Sequence, residues 1–153
     1  MQLDLELAKS LFRQALNRFN FGDAAAKVFE KAANGVHSVA FTVGAEDGSN
    51  NITVNVQAND VQGNPVEEKV ALTLMLVDAA DPTAFNTSDY TISAGTDGDI
   101  VQAVADGVII GLTEADGDLD IVLQIAGAAT SYMIAIGPSG RIIGTSGVIT
   151  HAA

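Results

Sequence analysis

The chain has 153 residues, of which 48% are hydrophobic, and this is enough apolar material for one domain with a core. Only 5% of the residues are aromatic, and there is no tryptophan or cysteine, so we expect an aliphatic core and can exclude disulfide and thiolate chemistry. The formal net charge of −12 disfavours nucleic acid and anionic membranes as partners, because an acidic surface repels phosphate groups.

The charge is distributed unevenly along the chain. Residues 1–36 contain five basic and four acidic residues, a net charge of +1, whereas residues 37–153 contain two basic and fifteen acidic residues, a net charge of −13. Solubility is the simplest explanation of the acidic part. The alternative is that the acidic part faces solvent while the near-neutral N-terminal part contacts a partner. The first residues lack the pattern of a signal peptide, which predicts synthesis and use in a cytoplasm.

The first predicted element is an amphipathic helix from about residue 4 to residue 20. Its apolar residues have the 3-4-3-4 spacing of one helix face, widened by two leucines: Leu5, Ala8, Leu11, Phe12, Ala15, Leu16 and Phe19. Gly22 ends this helix, and Asp23 is the predicted N-cap of a second short helix that ends near Gly35.

Residues 1–36 have two interpretations. The two helices either fold onto the sheet of their own domain or form a docking and self-association arm. The arm is the favoured interpretation, because a β-sandwich closes its own core and rarely needs a helical cover. The predicted interface consists of the large apolar residues of both helices: Leu5, Leu11, Phe12, Leu16, Phe19 and Phe29. Residues 37–153 are then a separate β-domain.

From residue 37 the hydrophobic period changes from 3.6 to 2, which is typical of strands. Strands are predicted at residues 39–43, 52–57 and 70–77, and Leu72, Leu74 and Leu76 share one face of the third strand. The turn-forming residues 60–65 predict that the second and third strands form the hairpin that opens an antiparallel sheet.

Six further strands follow. They are predicted at residues 90–93, 100–105, 108–112, 119–125, 132–136 and 141–150. The dipeptide Asp116-Gly117 is the predicted tight turn between residues 108–113 and 119–125. Short strands at intervals of about ten residues favour an all-β sandwich.

Residues that could support chemistry are few and scattered. His37 begins a strand and His151 lies in the predicted terminal tail, and neither has metal-ligand spacing with the other. The best candidate for a cation site is a set of acidic residues around one turn: Glu114, Asp116, Asp118 and Asp120. Solvated charge on one strand face is the simpler explanation, for this set and for Asp97 and Asp99. The sequence therefore predicts no metal, no cofactor and no enzymatic activity.

Two blocks of sequence resemble known immunoglobulin-like domains. Residues 51–76 (NITVNVQANDVQGNPVEEKVALTLML) resemble the opening hairpin of bacterial and phage immunoglobulin-like domains. Residues 108–149 are similar to the C-terminal half of small tailed-phage virion proteins with that fold. Four elements of that half are matched here: the turn at residues 113–117, the strands at residues 120–125 and 132–136, and the Pro-Ser-Gly-Arg turn at residues 138–141.

The resemblance covers roughly residues 51–150 and implies an immunoglobulin-like antiparallel β-sandwich with a structural role in a virion. It does not include the helical arm. The expected function is that of a capsid decoration, or cement, protein made in the bacterial cytoplasm and attached to the virion through the arm. The expected partners are other copies of the chain, with a trimer implied by other phage appendages, and the major capsid protein or another virion protein.

Three alternatives remain open. The first is a phage fibre or receptor-binding module, for which Phe85 and Tyr90 are the only loop aromatics available to stack on carbohydrate. The second is a host surface-adhesion domain, which the missing signal peptide and the absence of a second repeat disfavour. The third is an enzyme, which the scattered reactive residues disfavour most.

Overall fold

The computed structural model describes residue 10, residues 35–104 and residues 107–152. Residues 35–104 and 107–152 contain no helix, and their ten strands are β1 Ser38–Val43, β2 Asn51–Asn59, β3 Ala71–Val77, β4 Thr91–Ala94, β5 Asp99–Val104, β6 Val108–Leu112, β7 Asp118–Gln124, β8 Ala129–Ile136, β9 Ile142–Thr145 and β10 Ile149–His151. Apart from residue 10, the predicted helical arm lies outside the described residues. The arm, and the domain boundary at residue 36, therefore stay predictions.

The strands form two antiparallel sheets. Sheet 1 has the order β1-β2-β7-β4, and sheet 2 has the order β10-β8-β3-β6-β5. One edge of β8 pairs with β3, and two short strands pair with the other edge. β10 pairs with Ala129–Ser131, and β9 pairs with Ile134–Ile136. The prediction of a mainly β, antiparallel chain is confirmed.

The core lies between the two sheets and is aliphatic, as the composition predicts. Every second residue of the central strands points inward, because successive side chains of a strand alternate between its faces. Burial of each large aliphatic side chain contributes about 1.5–3 kcal/mol to the free energy of unfolding. The inward residues of the central strands are Ile52, Val54, Val56, Leu72, Leu74, Leu76, Ile109, Leu119, Ile121, Leu123, Met133 and Ala135.

The predicted hairpin of β2 and β3 is wrong, because the two strands lie in different sheets. The connection between them crosses the end of the molecule and buries Val66, whose backbone N–H donates to the carbonyl of Ala58 over 3.0 Å. The carboxylate of Asp60 accepts from the backbone of Gln62 and Asn64 and thereby shapes the turn. A period-2 pattern identifies the buried side of a strand but does not identify the strand beside it.

The predicted turn at Asp116-Gly117 is present, and it joins β6 and β7, which lie in different sheets. The turn closes locally, with the Glu114 N–H donating to the carbonyl of Asp118 over 2.7 Å. Gly117 has a φ of +79°, and a Cβ there would lie within about 3 Å of the Val66 and Ala58 carbonyls. Glycine at this position therefore allows the turn to pack directly against the backbone of Ala58 and Val66.

The last predicted strand, residues 141–150, is two strands separated at Ser146. The Ser146 N–H donates to the Met133 carbonyl, and the Ser146 hydroxyl accepts from the Met133 N–H, each over 2.8 Å. The hydroxyl thus takes a place in the ladder that a backbone carbonyl would otherwise fill. Ser146 therefore holds the chain against β8 in the interval between β9 and β10.

Candidate interaction surfaces

The outer face of sheet 1 is polar. Cross-strand pairing places Asn55 opposite Asp120 and Gln57 opposite Asp118, so these four side chains share one side of the sheet. The polar residues on this outer face are Thr42, Thr53, Asn55, Gln57, Thr91, Ser93, Asp118, Asp120 and Gln124. We call this set the polar face.

Two of the four predicted acidic candidates lie together on the polar face. The Asn55 Nδ2 atom donates to Asp118 Oδ1 over 2.6 Å and to Asp120 Oδ1 over 3.3 Å, and the Thr96 hydroxyl donates to Asp120 Oδ2 over 2.7 Å. Burial raises the pKa of Asp118; the Asn55 hydrogen bond opposes this, and the charges of Asp120 and Asp97 add to it. Amide and hydroxyl donors therefore occupy oxygens that a cation would need.

The other acidic candidates do not join Asp118 and Asp120. Glu114 and Asp116 are exposed in the turn, and the Asp116 backbone carbonyl accepts from Gln57 Nε2 over 2.9 Å. Asp99 is exposed at the start of β5, and Asp97 contributes its backbone carbonyl to the Asp120 N–H. Within residues 35–104 and 107–152, no three acidic or histidine side chains are grouped to hold a metal ion.

A second polar group is buried in the interior. The Tyr90 hydroxyl lies 3.0 Å from the Ser131 hydroxyl, and the rings of Tyr90 and His151 are 5.5 Å apart. Burial raises the pKa of Tyr90, and the hydrogen bond to Ser131 opposes this rise. His151 Nε2 lies 3.2 Å from the Leu123 carbonyl, which can only accept, so Nε2 carries the hydrogen. Nδ1 has no hydrogen-bond partner among the described residues.

This buried group corrects two predictions. Tyr90, expected beside a loop and available for stacking, is only 5% exposed. His151, predicted in a terminal tail, is 1% exposed within β10. The reason is that β10 pairs with the first residues of β8, which places His151 opposite Ala129 at the rim of the core. The alternation of Ile149, Thr150 and His151 is the sequence signal that could have indicated the burial. His37, in contrast, is exposed just before β1.

The outer face of sheet 2 is apolar, in contrast to the polar face. Pairing places Met75 between Val108 and Ile134, and Val77 beside Tyr132. We define the apolar face by the large apolar outward residues of β3, β6 and β8, among which Thr73 is the polar residue between Ile110 and Ile136: Met75, Val77, Val108, Ile110, Leu112, Tyr132, Ile134 and Ile136. Six of these are half-buried, and Val77 and Ile134 are buried although they lie outside the core cluster between the sheets.

The rim of the apolar face is also hydrophobic. Ile142, which pairs with Ile136, is 46% exposed at one side, and Val101 is 66% exposed in the bulge of β5 at the other. The predictions from the strand pattern do not include this face, although the sequence carries a signal for it. Residues 108–112 and 132–136 are almost continuously apolar, which is typical of strands with both faces covered.

The six predicted interface residues of the arm lie outside the described residues, so the structure does not test them. Within the described ranges, no helix has the length and apolar character needed to cross a membrane. No protein-family model, curated protein or solved structure matches this chain. The assignment of a function therefore depends on the physical character of its surfaces.

Proposed function

We propose that the protein is a non-enzymatic structural protein of a tailed-phage virion, a capsid decoration protein attached through its N-terminal arm. The observation that carries this proposal is the contrast between the polar face of sheet 1 and the apolar face of sheet 2. A protein fixed to a particle needs one side that is stable in water and another that excludes water on contact. The polar face supplies the first property, and the apolar face together with the N-terminal arm supplies the second on the opposite side of the body.

The strand order supports the finer assignment to an immunoglobulin-like fold. In that fold one sheet has the strand order A-B-E-D and the other contains C, F and G as neighbours. The order β1-β2-β7-β4 fits the first sheet, and β3-β8-β10 fits the second. The hairpin of β5 and β6 extends the second sheet beside β3. This agreement supports the resemblance carried by residues 51–150.

Such a protein acts through contact area and copy number. A stable protein interface buries roughly 1,600 Å² in total, and joining several copies multiplies the occupancy of the particle without any reactive group. We propose that the arm residues Phe12 and Phe19 contribute the central contacts to other copies of the chain and to the major capsid protein or another virion protein. A homotrimer is the proposed assembly, and the virion is the proposed location.

The proposal is tested by the double substitution Phe12→Asp and Phe19→Asp in the full chain. We expect loss of particle binding in a sedimentation assay, because two buried charges cannot be solvated in an apolar contact. The far-UV circular dichroism of the strands should be retained. The matched control is Phe85→Asp, which changes a loop aromatic that is 50% exposed and should leave binding intact. Normal binding of the double variant would contradict the docking arm.

A fibre or receptor-binding module is the second candidate, and it is favoured by the exposure of Phe85. Because Tyr90 is buried, Phe85 is the member of the predicted aromatic pair that remains available for stacking on carbohydrate. Negative-stain imaging of particles with a gold label at the C-terminus separates the two candidates. Labels distributed over the head support decoration, and labels confined to tail or head fibres support the second candidate.

A further inference from the structure

We infer that the apolar face is the binding surface for residues 5–29 of the protein's own N-terminal segment. The face combines side chains of three strands into a mainly aliphatic surface that includes one methionine, one tyrosine and, between Ile110 and Ile136, Thr73. Six of its apolar side chains are half-buried, two are buried, and Ile142 and Val101 are exposed at its rim. A contiguous apolar surface of this kind marks an interaction site. The inference concerns the same arm as the proposed function and names the surface that the arm contacts, whether that surface belongs to its own chain or to another copy.

The place where the described chain begins favours this occupant. The backbone N–H of His37 donates to the Asn59 carbonyl over 2.8 Å, which fixes the entry into β1. Two residues later, Val39 lies against Gly144 of β9, so closely that a Cβ on this glycine would overlap the Val39 backbone. The N-terminal segment therefore leaves the body beside β9, and β9 borders the part of β8 that carries Ile134 and Ile136.

The dimensions of the segment and the face also agree. A helix of 17 residues, as predicted for residues 4–20, is about 26 Å long. Five strands span roughly 19 Å across the sheet, and seven residues of a strand extend for roughly 23 Å. One such helix, with a short second helix beside it, is therefore large enough to cover the centre of the apolar face. The apolar stripe of the segment supplies phenylalanine and leucine side chains to the isoleucine and methionine side chains of the sheet.

The charges of the two parts fit the same arrangement. Residues 1–36 have a net charge of +1, and residues 37–153 have a net charge of −13, so association of the segment with the body lowers the overall repulsion. This electrostatic attraction is long-ranged and weak at physiological salt. The apolar contact provides the stability, and the charge difference favours the encounter.

The natural absence of cysteine permits a direct test by disulfide trapping in the full chain. Cysteine is introduced at Leu5, Phe12 or Phe19 and combined with Ile110→Cys on the apolar face. The matched controls combine the same three arm positions with Thr53→Cys on the polar face. Disulfide formation requires Cα atoms within about 7 Å, so we expect at least one arm position to couple to residue 110 about tenfold faster than to residue 53.

Electrophoresis without reductant and peptide mass spectrometry identify each bond. A bond to residue 110 between two chains supports both the inference and the docking arm. A bond to residue 110 within one chain supports the inference and contradicts the docking arm of the proposed function. Equal coupling of all three arm positions to residues 110 and 53 overturns the inference, while the particle-binding assay continues to test the proposed function.

A second measurement keeps the test decisive if a cysteine variant folds poorly. In the full chain, Phe12→Asp with Phe19→Asp should uncover the apolar face and raise the fluorescence of a hydrophobic dye severalfold. The control, Phe12→Leu with Phe19→Leu, retains apolar side chains and should leave dye fluorescence near the level of the unmodified protein. Unchanged dye fluorescence in the aspartate variant, with its circular dichroism retained, would overturn the inference.

Discussion

Two aspartates of this protein have opposite environments. Asp118 lies on the polar face, where burial raises the pKa of its carboxyl. Asp47 lies in the turn between β1 and β2, where the backbone and side chain of Asn51 and the backbone of Ser49 donate to its carboxylate and lower its pKa. Local hydrogen-bond donors stabilise the charged form, whereas loss of solvent destabilises it.

These opposite shifts predict opposite effects of substitution on stability at neutral pH. The pKa of Asp118 is higher in the folded protein than in the unfolded chain. The contribution of this carboxyl group to the free energy of unfolding is therefore favourable at low pH and is lost as the pH rises through the folded pKa. Asp118→Asn should therefore increase the free energy of unfolding at pH 7, and this advantage should disappear below the ordinary pKa of 3.8. The measurement is urea unfolding of both proteins at pH 7 and at acidic pH.

Asp47→Asn is the matched comparison and should have the opposite sign. The pKa of Asp47 is lowered in the folded protein. The stability that its carboxylate contributes is therefore present above the unfolded pKa and is lost as the pH falls through the folded pKa. The substitution should decrease the free energy of unfolding at pH 7 and have little effect in acid. Destabilisation by Asp118→Asn at pH 7 would show that its hydrogen bond to Asn55 outweighs the cost of burial.

At the scale of elements, the edge strands β1 and β9 of the two sheets lie against each other. Gly144 of β9 meets the backbone of Val39 of β1, and a side chain at that position has no room. Gly147, three residues further along the same C-terminal segment, has nothing within 4 Å of a built Cβ. The two glycines thus differ in packing although they have similar sequence surroundings.

Gly144→Ala should lower the free energy of unfolding by about 1–3 kcal/mol, because the added methyl group must displace backbone rather than a flexible side chain. Gly147→Ala should change it by less than about 0.5 kcal/mol. Thermal and urea unfolding of the two variants measure this difference. Equal stability of the two variants would show that β1 and β9 separate easily, and it would weaken the assignment of the chain entry beside β9.

At the scale of the whole molecule, stability depends on the contact between the two sheets. Leu74 is fully buried at the centre of sheet 2 and belongs to the same cluster as Ile52, Val54 and Leu119 of sheet 1. Neither sheet can bury its inner face without the other. We therefore expect the described strands to unfold as one cooperative unit.

Leu74→Ala should lower the free energy of unfolding by about 2–5 kcal/mol, because it removes buried methyl groups and leaves a cavity. The control Thr53→Ala, on the solvent side of β2, should change it by less than about 0.5 kcal/mol. Far-UV circular dichroism and tyrosine fluorescence should report one coincident urea transition for the unmodified protein and for both variants. Two separate transitions would contradict cooperative unfolding of the sheets.

The sequence by itself determined the class of the fold and the inward side of most strands. Ile52, Val54 and Val56 are identifiable as one buried face because alternation is a local property, set by the backbone of a single strand. The period change at residue 37 predicts β1, which begins at Ser38, for the same reason. Turn residues such as Gly117 are also identifiable, since they are required by local backbone conformation.

Only the tertiary structure decided which strands are neighbours. β2 and β3 are consecutive in the chain yet lie in different sheets, and the pairing of β3 with β8 joins residues about sixty positions apart. The burial of Tyr90 and His151 and the assembly of the apolar face follow from such distant pairings. Local patterns cannot specify them, because distant pairing depends on how complete faces fit together when they exclude water.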